Sequence, residues 1–241
     1  MIPGYLAELT GALSFDRSLA RRVTREVEDH LREAVAAHPS EDPAQAEREA
    51  IARFGDPQAL ALQFAAVSLA RRTRQAGIAV VAAVVAVLIA MKVRVSWYAA
   101  ANWIVSEDAR ELAGTVLAID RFAFWLSVIA GLIALFYIGC LRVPAVLRPD
   151  YCRQNRRAVL LCSTAAVSLV VAVISDGLLT ALRLGGELRE DALVPLVSMA
   201  VEIACVGAVT YLIADATRRH SRTSALLGTR EARDDGLMSA Q

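Results

Sequence analysis

Glu202 stands near the middle of an otherwise uncharged apolar run, Ala192–Ala214, which reads ALVPLVSMAVEIACVGAVTYLIA. A charge at the centre of a membrane-crossing helix costs about 2.5–3.5 kcal/mol on insertion scales. The side chain is therefore expected to face other helices rather than lipid, and to be neutral. Ser198 lies one helical turn earlier, and Ser163, Thr164 and Ser168 lie on a neighbouring apolar run; these are its candidate partners. Two kinds of role fit. The acid could sense protons, pass ions or contact a partner helix, or it could be a hydrogen-bonded group that fixes packing. A proton pump needs a relay of intramembrane polar groups, and a single deep acid argues against one.

A second constellation lies at a membrane edge. Lys92 follows the apolar run Ala76–Met91, and Asp120 precedes the run Phe122–Leu141. With Ser106 at the tip of a hairpin, the two sit at equal depth, so Asp120 is expected to pair with Lys92 or Arg94 near the outer boundary. Separate solvation of each group is the alternative. A third constellation is Glu26 and His30, at i,i+4 in EVEDHL, with His38 further along. Two ligands and no nearby cysteine make a poor metal site. No metal or other cofactor is expected, and His30 is expected to bond Glu26 or Glu33. The fourth is RVPAVLRPDYCRQNRR, residues 142–157. Its Arg153, Arg156 and Arg157 could bind anionic lipid headgroups or serve only to orient the chain.

No catalytic residues are found. The sequence has no G-x-S-x-G, P-loop, G-x-G-x-x-G or H-E-x-x-H pattern, and the expectation is that the chain is not an enzyme. Cys140, Cys152, Cys162 and Cys205 form no C-x-x-C pair and read as small apolar residues. A formal net charge of +1 and the lack of a basic face speak against direct nucleic acid binding.

The elements that must position these groups are membrane spans. The chain is 56% hydrophobic, with a mean hydropathy of +0.45, against about 45–50% apolar residues in a soluble domain. A span needs about 20 apolar residues, and four segments fit: about 76–95, 120–141, 158–180 and 192–214. Arginines cluster before the first span (Arg71, Arg72, Arg74), between the second and third (Arg142, Arg148, Arg153, Arg156, Arg157), and after the fourth (Arg218, Arg219, Arg222). All three clusters fall on one side when both termini are cytoplasmic. Trp97, Tyr98 and Trp103 suit an interfacial belt on the other side, where Gly185-Gly186 marks the second turn.

Residues 1–70 have another character. One helix over roughly Pro3–Leu13 presents Leu6, Leu9 and Leu13. A second, from about Asp16 to Ala37, presents Leu19, Val23, Val27, Leu31 and Val35 on one face. Asp42 and Pro43 start a third, with Gln45 placed as in a capping box. That helix buries Ala46, Ala50, Ile51 and Phe54. Then comes a corner, Phe54-Gly55-Asp56-Pro57. Gly55 can close one helix in a left-handed conformation, Asp56 can cap the next, and Pro57 begins it. The fourth helix carries Leu60, Phe64 and Val67 back onto Phe54. No Gly or Pro interrupts it before Gly77, so it is expected to run on into the first span. Residues 215–241, polar and of mixed charge, read as a disordered cytoplasmic tail.

Three segments in order, YLAEL (Tyr5–Leu9), REVEDHLREA (Arg25–Ala34) and AEREAIARFGDPQALALQF (Ala46–Phe64), resemble the small helical signalling domain called HAAS, or permease prefix domain. The resemblance covers about residues 2–68. In that family the domain precedes varied membrane regions, some of them permeases, and is often encoded beside PadR-type transcriptional regulators. The resemblance implies a regulatory or coupling role. The zinc-binding H-x-x-x-C-x-x-C pattern of many anti-sigma factors is absent.

The sequence therefore predicts an all-α protein: a small cytoplasmic helical domain (1–70), a four-helix transmembrane bundle (71–214) and the tail (215–241). The expected setting is the bacterial inner membrane. The expected role is that of a regulator or adaptor bound to lipid and to a cytoplasmic protein, namely a PadR-type regulator, a sigma factor or a transporter component. A small transporter or permease subunit, and a structural anchor of a complex, are the alternatives.

Overall fold

The computed structural model describes residues 1–38, 42–103, 105, 107–144, 148–184 and 192–238. Among these the chain is all α-helical. Its helices are α1 (Ile2–Ala12), α2 (Arg17–Ala36), α3 (Pro43–Phe54), α4 (Pro57–Ala100), α5 (Arg110–Cys140), α6 (Pro149–Leu184) and α7 (Leu193–Met238), with a 3-10 turn at Glu107–Ala109 before α5. The expected turn at Gly185-Gly186 and the expected cap at Ser106 lie outside the described residues. Two compact units divide the chain.

The first unit comprises Met1–Arg71, Arg142–Gln154 and Arg218–Gln241. Its helices begin where short side chains cap them. Asp16 accepts from the Ser18 and Leu19 backbone N–H groups at 3.1 and 3.2 Å, and Asp42 accepts from that of Ala44 at 2.9 Å. Gln45 does not close a capping box; its amide donates to Glu49 at 3.1 Å. Leu9, Leu13, Val23, Val27 and Leu31 form the centre of the core. From α4 the core takes Ala61, Leu62, Ala65, Ala66 and Leu69. Leu60 and Phe64 pack at the core's margin, while Val67, expected inside, is 59% exposed. Tyr151 and Cys152, at the start of α6, complete the same core. The unit is thus assembled from three stretches of chain rather than from residues 1–70 alone.

The second unit comprises Arg72–Leu141 and Asn155–Thr217. It contains the apolar parts of α4, α5, α6 and α7, which among the described residues are the four helices long and apolar enough to cross a membrane. They share one core of mostly small residues, including Ala76, Ala83, Ala123, Ala130, Ala134, Ala165 and Ala172. The large apolar side chains Phe122, Trp125, Ile133, Phe136 and Tyr211 point outward. Small residues inside and large ones outside is the arrangement expected where lipid surrounds the helices and close backbone approach supplies the packing. At Gly77 an added Cβ would lie 2.8 Å from Ile138 Cδ1, so α4 and α5 meet closely there.

Helix α4 runs unbroken from Pro57 to Ala100 and supplies residues to both cores. Beyond its end, Asn102 takes a φ of +51°, a left-handed conformation that asparagine tolerates better than most side chains. Helix α7 extends to Met238, so residues 215–238, expected to be disordered, are helical.

Candidate functional site

The four membrane helices each contribute one charged residue to a buried cluster. Lys92 and Arg94 both interrupt the apolar end of α4. Two residues of helix separate side chains by about 200° at 3.6 residues per turn, so one must face outward when the other faces in. Lys92 is exposed and Arg94 is 0% exposed. The Arg94 Nη2 donates to Glu202 Oε1 on α7 at 2.7 Å and also pairs with Asp176 Oδ2 on α6. Asp120 on α5 is buried as well, within electrostatic reach of Arg94, Glu202 and Arg121.

Depth explains why these four meet. At 1.5 Å per residue, Asp120 lies ~15 Å from the start of α5, Glu202 ~14 Å from the start of α7, Asp176 ~12 Å from the end of α6 and Arg94 ~9 Å from the end of α4. Each thus lies within ~15 Å of a helix end on the same side, with Glu202 the deepest in its apolar run. Each charge would be costly against lipid, and one guanidinium can serve several carboxyls with its five donors.

The expected pairing of Lys92 with Asp120 is corrected. No ion pair joins them among the described residues, and Arg94, the alternative partner, is bonded to Asp176 and Glu202 instead. The picture of Glu202 as a solitary deep acid also changes, because Asp120 and Asp176 are buried in the same unit. Ser163 and Thr164 do not reach Glu202; they donate to their own helix at the carbonyls of Val159 and Leu160, at 2.9 and 3.0 Å. Ser198 donates to the Ala90 carbonyl of α4 at 3.0 Å, which fastens α7 to α4 one turn from Glu202.

A polar layer adjoins the cluster. Tyr98 donates to Thr180 at 2.8 Å, and Thr180 donates to the Asp176 carbonyl at 2.9 Å. The Arg183 guanidinium lies 4.5 Å from the centre of the Tyr98 ring, which also stacks on Trp103 at 5.7 Å. Tyr98 and Trp103, expected in an interfacial belt, are therefore buried packing residues. Several buried polar atoms have no protein partner among the described residues: Nε and Nη1 of Arg94, Oδ1 of Asp120, Oε2 of Glu202 and Oγ of Ser127.

The first unit holds the remaining sequence candidates. At the corner, Gly55 has φ +81° and ψ −163°. That is not the left-handed helical conformation expected, but an extended positive-φ state that is essentially restricted to glycine. Asp56 accepts from the Gln58 and Ala59 N–H groups at 3.1 and 3.2 Å, and α4 begins at Pro57. His30 is exposed and lies 3.8 Å from Glu33. His38, not matched with Glu49 in the sequence, meets it at 2.7 Å, and that bond is the first of several that hold the Glu49 carboxyl below its ordinary range. Asp16, besides capping α2, pairs with Arg219 of α7. Arg153, Arg156 and Arg157 are exposed but lie in the first turns of α6 rather than in a loop, with Arg153 bonded to Asp150 at 2.5 Å.

Helices α1 to α3, the corner and the first turns of α4 coincide with a match to a protein-family model, HAAS, over residues 4–63. The chain carries a HAAS domain. Its matched segment ends inside α4, so this helix begins in the HAAS domain and continues through the apolar run from Ala76. No curated protein and no solved structure matches the chain. The protein is accordingly a multi-helix membrane protein with an N-terminal HAAS domain.

Proposed function

We propose that the chain is a regulator or adaptor of the bacterial inner membrane, whose HAAS domain holds a cytoplasmic protein and whose four-span bundle places and biases that contact. The observation that carries this reading is the make-up of the first unit. It gathers the HAAS domain with residues 142–154 and the residues from 218 onward, so all three arginine-rich parts of the chain are represented in it. Arginine-rich connections favour the cytoplasmic side, which supports a cytoplasmic HAAS domain with both termini beside it. A partner of the PadR-type regulator, sigma-factor or transporter-component class fits such a domain. In this reading the chain binds and couples, and catalyses no reaction.

Affinity capture from membranes tests the proposal. The full chain should recover a cytoplasmic protein that is lost when residues 1–70 are removed. Equal recovery by both chains would contradict it. The buried charge cluster favours one second reading, a small transporter or permease subunit. Reconstituted vesicles separate the two: the regulator gives no solute flux above that of empty vesicles, whereas a transporter does.

A further inference from the structure

The cluster on α4–α7 has an imbalance of charge. One guanidinium, Arg94, faces three carboxyls, Asp120, Asp176 and Glu202, each from a different helix. With all four ionised the site would carry two surplus negative charges in an apolar surrounding, which is prohibitive without a counter-charge. Asp176 and Glu202 both bond Arg94 Nη2. Asp120 makes no such bond, is 2% exposed, and leaves Oδ1 without a partner. The other charged groups near Asp120 are Glu202 of α7, which repels its negative form, and Arg121 of its own helix, which is exposed. A metal ion is not the natural counter-charge, because no three acids among the described residues are placed to hold one.

We propose that the bundle contains a proton-binding site at Asp120, whose occupancy decides how Arg94 is shared among the helices. With the proton bound, Asp120 is a neutral carboxylic acid, the surplus falls from two negative charges to one, and Arg94 serves Asp176 and Glu202. On release of the proton to water, the new carboxylate competes for Arg94, whose Nε and Nη1 have no protein partner among the described residues. Proton binding thereby changes which of α5, α6 and α7 is tied to α4. The site is independent of what the HAAS domain binds.

Infrared difference spectroscopy on the full chain in lipid nanodiscs, stepped in pH with and without sodium, tests it. At neutral pH a carboxylic-acid carbonyl band is expected that shifts on labelling aspartate with carbon-13, disappears as pH rises, does not respond to sodium, and is lost completely in Asp120→Asn. If Asp120→Asn does not assemble, Asp120→Glu in aspartate-labelled protein should move the band out of the labelled set. Asp176→Asn and Glu202→Gln should retain the labelled band in acid but lose it at a lower pH than the parent, because each frees part of Arg94 for the Asp120 carboxylate. Absence of the band at neutral pH, its survival in the Asp120 variants, or its displacement by sodium would each overturn the proposal.

Discussion

At the scale of single residues, Arg94 ties the acids of α6 and α7 to α4. Removing one partner of a buried ion pair typically costs about 3–5 kcal/mol, because the remaining charges stay buried. Arg94→Ala is expected to lower stability by about that much, whereas Lys92→Ala, on the exposed face, should change it by less than about 0.5 kcal/mol. Thermal unfolding in detergent compares the two. Asp16 carries a pH dependence in the HAAS domain. Burial pushes its carboxyl up, but bonds from the Leu19 N–H, Ser18 and Arg219 outweigh this and hold it below the ordinary 3.8. Its contribution is therefore fully present above about pH 4 and fades as pH falls through the lowered value. Asp16→Ala should cost about 1 kcal/mol at neutral pH, and the difference from the parent should shrink in acid. The acid at Glu202 is visible in the sequence because it breaks an apolar run. Arg94, Asp120 and Asp176 are harder to place, because charges near the ends of runs also occur as exposed flanks. Lys92 is such a flank, and only the rotation of α4 separates it from Arg94.

Among the elements, α4, α6 and α7 each run from one unit into the other, and the corner before α4 is the most locally determined feature. A Cβ added at Gly55 would meet no atom within 4 Å, so any cost of Gly55→Ala arises from the backbone alone. That cost is expected to be about 1–3 kcal/mol, seen as a lower melting temperature without loss of the helical circular-dichroism signal at low temperature. Starts of helices at Asp16, Asp42-Pro43 and Asp56-Pro57 are legible because each cap is written in two or three adjacent residues. The face that α4 buries is less so. Its alanines at 61, 65 and 66 pack inside while Val67 points out, since close helix packing favours small side chains and hydrophobicity alone misranks them. The pairing of Arg219 on α7 with Asp16 and the burial of Tyr151 and Cys152 depend on distant partners, and no local pattern announces them.

For the whole molecule, the HAAS match and the four spans are both legible, one from three ordered segments and the other from length and composition. The assembly of the first unit from three separated stretches is not, because it depends on where the chain returns after crossing its apolar runs. That assembly supports a regulator with its arginine-rich parts on the HAAS side. On the proposed function, the HAAS domain is expected to engage a cytoplasmic protein and α4 to make this contact responsive to the bundle. The most direct measurement is site-specific photocrosslinking in living cells from an exposed position of α2, such as Arg25, in the full chain and in a chain with two glycines inserted after Ala70. The full chain is expected to crosslink one cytoplasmic protein, with a yield that changes on insertion. Crosslinks to no cytoplasmic protein, or an identical yield in both chains, would contradict the coupling.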